Sequence, residues 1–416
     1  MKLGRYNYSR NSCKQRWSDR FAAYVLMFGV LLSQPALAGD REQAKRIHDR
    51  LAGTPPSESV LNSMEASIAA GDALGAADEA MNNPTFYSVT LKNMVTPWTN
   101  EAQTVFADLN DYTATVIGIV LNDYDFRTVL YDDILFVANP ALGLTPYSTS
   151  NNTHYQEIEA QNVDMTTDLV EITQSSVSNF PAGATAGVTT TRAAAKAFFI
   201  DGTNRAMFRF TMMNQLCTDL EPIKDITRPS DRIRQDVSRS PGGDSRIFMN
   251  NCIGCHTGMD PLTQAFAYYE YDHDVTNDPE GNNGQLVYND VGQIDSVTGT
   301  RVQSKYHNNN DNFKPGYVTL DDRWDNYWRE GPNSLLGWNN ALPSGGNGAK
   351  TMGQELANSD AFASCQVKKV FKTVCLRPAV DAADRAQIDT MTTSFKGNNY
   401  NLKQVFAESA VYCMGN

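Results

Sequence analysis

The chain has 416 residues, 41% hydrophobic and 10% aromatic, enough apolar content for a large core and too much for a disordered chain. It carries 35 Lys and Arg against 47 Asp and Glu, a formal net charge of −12. That balance disfavours nucleic acid, whose binding depends on neutralising phosphates.

Residues 1–38 read as a Sec-type signal peptide. Lys2, Arg5, Arg10, Lys14, Arg16 and Arg20 form a basic start, and Phe21 to Leu32 is an apolar run too short to span a bilayer comfortably. Ala36-Leu37-Ala38 then supplies a small-x-small pattern, so cleavage is expected after Ala38; an uncleaved anchor is the alternative. No twin arginine is present and no Cys follows the site, which argues against Tat export and lipidation. Removing six basic residues and one acidic residue leaves 29 basic and 46 acidic, net −17. The expected product is periplasmic or extracellular, has no membrane span, and has an acidic surface that suits a basic redox partner.

Residues 39–138 read as a helical N-terminal region. Ala44 to Leu51, Ser57 to Ala70 and Ala73 to Met81 carry apolar residues at helical spacing, and Pro55-Pro56-Ser57 is a helix start. At Tyr112 to Leu121 helix and strand compete. Residues 139–186, rich in Ser, Thr, Asn, Gly and Pro, read as a loop-rich joint. Helix returns at Thr191 to Phe199 and at Asn204 to Leu216. Arg228 to Gly243 is a polar connector, and Asp272 to Gly348 is irregular and long enough that it must wrap the rest or hide short strands. Trp324, Trp328 and Trp338 within it read as packing residues. Three helices are expected to close the chain: Met352 to Val374, Val380 to Phe395 and Leu402 to Tyr412. The fold class is therefore mainly α, with long irregular insertions in residues 187–416.

Chemistry concentrates at Asn251-Cys252-Ile253-Gly254-Cys255-His256. Cys-x-x-Cys-His is the spacing for covalent haem attachment: two thiols add across the vinyl groups at one porphyrin edge, and the adjacent imidazole lies under the iron. A thioredoxin-like pair would want a βαβ context, and zinc a second ligand pair; neither is found. One covalent haem c is expected at Cys252 and Cys255, with His256 on the iron. Pro261, five residues on, suggests a backbone carbonyl that accepts from the His256 ring, with a plain turn as the alternative. For the opposite side of the iron the choices are Met352, then His273 or His307, or an open or solvent-occupied position. Met259 is too near His256, and Met207, Met212 and Met213 read as core.

Four cysteines remain after the leader and the haem pair: Cys217, Cys365, Cys375 and Cys413. Cys365 and Cys375 lie on one predicted helix, about 15 Å apart, whereas a disulfide needs Cα atoms roughly 4.4–6.8 Å apart. That pair is excluded. Cys375 with Cys413 is preferred and Cys217 with Cys365 follows; four buried thiols are the alternative.

Cys252-x-x-Cys255-His256-x-x-Met259-Asp260-Pro261-Leu262, followed by Tyr269-Glu270-Tyr271-Asp272, resembles the haem segment of the large planctomycete-type cytochrome c proteins. Leu216-Cys217 and Phe362-Ala363-Ser364-Cys365-Gln366 are similar to that family's flanking helices, and the likeness runs over about residues 184–416. Thr263 stands where the family usually has Gly. The resemblance implies a helical, cytochrome c-like haem domain over residues 187–416 and supplies no substrate. Three functions follow: a monohaem electron carrier with an unidentified redox partner, a peroxidase- or oxygenase-type haem enzyme with an open distal site, or a surface protein stabilised by haem.

Overall fold

The computed structural model describes residues 38–200, 204–235, 245–308, 310, 314 and 316–415. The leader expected over residues 1–38 lies outside them except for Ala38, as do parts of the connector at 228–243. The described chain is mainly helical.

Three N-terminal helices form where the spacing places them: α1 (Asp40–Ala52), α2 (Glu58–Ala69) and α3 (Ala73–Met81). Ser57 Oγ accepts from the Val60 amide to cap α2, and Asp72 caps α3 through the Gly75 amide. Helix wins at α4 (Asp111–Leu121), where nearly every side chain is buried. Such a helix has no polar face for periodicity to mark, and its β-branched residues imitate a strand. Gly118 of α4 lies beneath the Phe136 ring, and any Cβ there would overlap it.

Residues 139–186 are more ordered than their composition suggests. They hold α5 (Thr153–Ala160) and β2 (Leu169–Ile172), which pairs antiparallel with β1 (Leu135–Ala138) in the register Leu135 to Ile172. The polar residues serve as turn and cap acceptors; Asp164, for example, accepts from the Thr166 amide. Then come α6 (Arg192–Phe198), α7 (Arg205–Gln215) and α8 (Ile253–Thr263). Asp111 joins distant elements by accepting from the Arg192 and Ala193 amides at 2.7 and 3.0 Å, at the start of α6.

The 272–348 segment contains the short strands that were one of its two expected forms. It forms β4 (Gln285–Tyr288), paired with β3 (Tyr269–Asp272), and β5 (Arg323–Asp325), paired with β6 (Gly345–Asn347). It also buries Trp324, Trp328 and Trp338 in the core. The helix expected from Met352 to Val374 is two helices, α9 (Gly348–Ala357) and α10 (Asp360–Cys375). Ser359 breaks it by turning its hydroxyl to the Phe362 amide as a new N-cap. α11 (Ala382–Gly397) and α12 (Leu402–Cys413) close the chain.

Most buried apolar side chains from Ala44 of α1 to Ala410 of α12 belong to one continuous core, and Ile233 and Phe248 form a small separate cluster against Cys252 and Ile253. α12 packs on α10, α1 and α3, so the last helix meets the first described one. Cys375 and Cys413 form one disulfide (Cα–Cα 5.5 Å), and Cys217 and Cys365 the other (5.2 Å). These are the expected pairs, Cys375 with Cys413 and hence Cys217 with Cys365, and both accord with an oxidising compartment. Among the described residues no helix is long and apolar enough to cross a membrane.

Candidate haem-attachment site

α8 follows a π-helical turn, Phe248–Cys252, of the kind that often marks functional sites. Residues 252, 255, 256, 259 and 260 share one helix face by their spacing. Cys252, Cys255 and His256 are half-buried, while Met259 and Asp260 run inward. Among the described residues, Cys252 and Cys255 are the two cysteines outside the disulfides.

The opposite face of α8 is anchored. Gly258 lies against Trp328 so closely that a Cβ would overlap the indole nitrogen. The loop after Cys217 clasps the helix start: the Asp225 amide donates to Gly254 O at 2.8 Å, Thr257 Oγ1 donates to Asp225 O at 2.7 Å, and the Cys255 thiol points at Leu220 O at 3.6 Å. The Cys217–Cys365 disulfide ties that loop to α10. Partial burial pushes the Cys255 thiol up.

His256 is oriented by a carboxylate. Its Nδ1 lies 3.0 Å from Asp260 Oδ1, one turn along the helix. Among the described residues its Nε2 has no hydrogen-bond partner, so the nitrogen that points away from Asp260 is the one suited to a metal. This differs from the carbonyl acceptor suggested by Pro261. Pro261 sits inside α8, and the acidic side chain before it reaches the ring first.

Asp260 is wholly buried. Arg205 donates to it twice, Nε to Oδ1 at 2.8 Å and Nη2 to Oδ2 at 3.3 Å, and the Arg234 amide faces Oδ2 at 3.4 Å. Burial pushes its carboxyl up, but Arg205, His256 and Arg234 outweigh this and hold it far below the usual carboxylate range. Sequence reading missed Arg205 and Arg234, which come from α7 and the connector. The His256-x-x-x-Asp260 spacing was the available signal, because i and i+4 meet on a helix.

Met352 is fully buried on α9, which packs on the 3-10 turn Phe126–Leu130, on β6, on the 3-10 turn Gln264–Phe266 that follows α8, and on α10. His307 Nε2 is 3.1 Å from Thr319 O, and the His273 ring lies beside Tyr271. Met207 and Met212 are buried in the core, with Met213 packed against it. Exposed apolar side chains border the motif: Ile226, whose Cγ2 abuts Gly254, and Ile247 and Met249 just before it. Two thiols outside disulfides, an imidazole with its second nitrogen oriented, and an apolar rim form a donor set that fits haem c.

Compared with family models, with curated proteins and with solved structures, the chain finds no match.

Proposed function

We propose that this chain is an exported, cytochrome c-like protein that holds one haem c through thioethers at Cys252 and Cys255, with His256 as an iron ligand, and that it transfers electrons. The observation that carries the reading is selective pairing. Four cysteines form two disulfides, while Cys252 and Cys255 stay as thiols beside a histidine whose ring is already oriented. When bound, the haem supplies one-electron chemistry. The chain's own residues attach it, orient His256 and cover part of it. The half-buried motif would leave a porphyrin edge near the surface, and the net acidic chain would suit a basic partner in the periplasm or outside the cell. The resemblance to planctomycete-type cytochrome c proteins supports the same reading.

A second reading, a haem enzyme of peroxidase or oxygenase type, is favoured by one observation. His307 Nε2 is held by Thr319 O, which takes one candidate for the sixth position away and suits an open site. The test is spectroscopy of the mature protein made in a host able to attach haem. One haem per chain that resists acid extraction supports attachment, and its absence refutes it. A reduced spectrum unmoved by carbon monoxide supports the electron carrier; one that shifts supports the enzyme.

A further inference from the structure

We infer that Asp260 is a positioning residue that makes His256 a strong electron donor to the iron and thereby lowers its reduction potential, with Arg205 limiting how far it does so. This rests on the haem reading above and deepens it.

The geometry carries the argument. Asp260 Oδ1 receives the His256 Nδ1–H at 3.0 Å and the Arg205 Nε–H at 2.8 Å, so the imidazole and the guanidinium compete for one oxygen. The carboxylate is wholly screened from water, where a charge-assisted hydrogen bond is strongest. Sharing the Nδ1 proton with a carboxylate moves electron density toward Nε2, the donor atom, while the proton stays between the two groups. Ferric iron, with the larger charge, gains more from that density than ferrous iron. A backbone carbonyl at the same place would pull less, because it carries no full charge. Arg205 keeps the anion paired in the interior and drains part of its charge, so the donor strength is set by a triad.

The bland alternative is a buried ion pair that only holds α7 to α8. Potentiometry separates the two. With a titanium(III) or dithionite reductant, Asp260→Asn is expected to move the equilibrium ten- to a hundredfold toward the reduced form, about 60 to 120 mV upward. Asp225→Asn is the control. It removes another buried carboxylate beside α8 that does not contact His256, and a change under about threefold is expected, because it shares no proton with the ring on the iron. An Asp260→Asn shift no larger than the Asp225→Asn shift would overturn the inference. Should Asp260→Asn not retain haem, the ¹⁵N resonance of His256 Nδ1 decides, read in the reduced wild-type protein, low-spin or carbon-monoxide-bound. A value displaced toward imidazolate supports the inference, and one typical of a neutral ring contradicts it. A wild-type protein without haem sinks both readings, whereas haem with an unmoved potential sinks this one alone.

Discussion

The indole of Trp328 lies directly against the backbone of Gly258, on the side of α8 away from Cys252, Cys255 and His256. The helix is thereby fixed from behind, and Trp338 supports the arrangement by donating from Nε1 to Trp328 O at 2.9 Å. Gly258→Ala forces a Cβ into the ring. It is expected to destabilise the protein by about 1–3 kcal/mol, the usual cost of overpacking. Urea unfolding followed by tryptophan fluorescence measures this, and an unchanged midpoint would mean that α8 slides freely over Trp328.

The Cys217–Cys365 bond has a local task besides its global one. It holds the loop whose Leu220 and Asp225 backbone meets the start of α8. The double variant Cys217→Ser/Cys365→Ser is expected to raise hydrogen exchange at Gly254 and Cys255. Opening Cys375–Cys413, which closes a 38-residue separation between α10 and α12, is expected to cost about 4 kcal/mol by loop entropy and to leave those amides protected. Equal effects of both variants on α8 would contradict the local role.

Met352 offers a packing prediction with a spectroscopic arm. Its side chain is 1% exposed, in the main core. Met352→Ala is expected to cost about 2–5 kcal/mol and to leave the visible spectrum in place. Loss of a low-spin band would instead assign the thioether to the iron.

Lys305 sets a pH dependence. Its Nζ donates to Phe199 O at 3.2 Å beneath an aromatic ring, with Glu270 as the facing acid and Arg234 as the facing base. Burial pulls the ammonium down to about 8, and Glu270 only partly offsets this. The unfolded chain keeps the proton up to about pH 10.4. Between the two values the unfolded state binds more protons, so stability rises with pH across that window, by up to about 3 kcal/mol. Relative to Lys305→Met, wild type is expected to gain stability from pH 8 to 10; a constant difference between the two would contradict the burial of a charge.

Much of this was legible in the residues. Helices with a polar face, such as α1 and α2, declare themselves by period; the distance between Cys365 and Cys375 along one helix rejects that disulfide, and the places of Cys375 and Cys413 near the ends of different helices favour the pair that forms. α4 did not declare itself because it has no polar face. Ser359 broke a helix that periodicity carried through, since a cap is a local contest between one hydroxyl and the backbone. The residues around Asp260 were hidden for another reason. Arg205 and Arg234 are 55 and 26 residues away, and only tertiary folding brings them to the helix of His256.

The most direct measurement is the intact mass of the exported chain, unfolded in acid and produced alongside a haem-attachment system. The expected product is a chain beginning at Gly39 that carries the mass of one haem, with two disulfides, no reactive thiol, and no haem retained in Cys252→Ala/Cys255→Ala. A bare chain with two reactive thiols at Cys252 and Cys255 would contradict it.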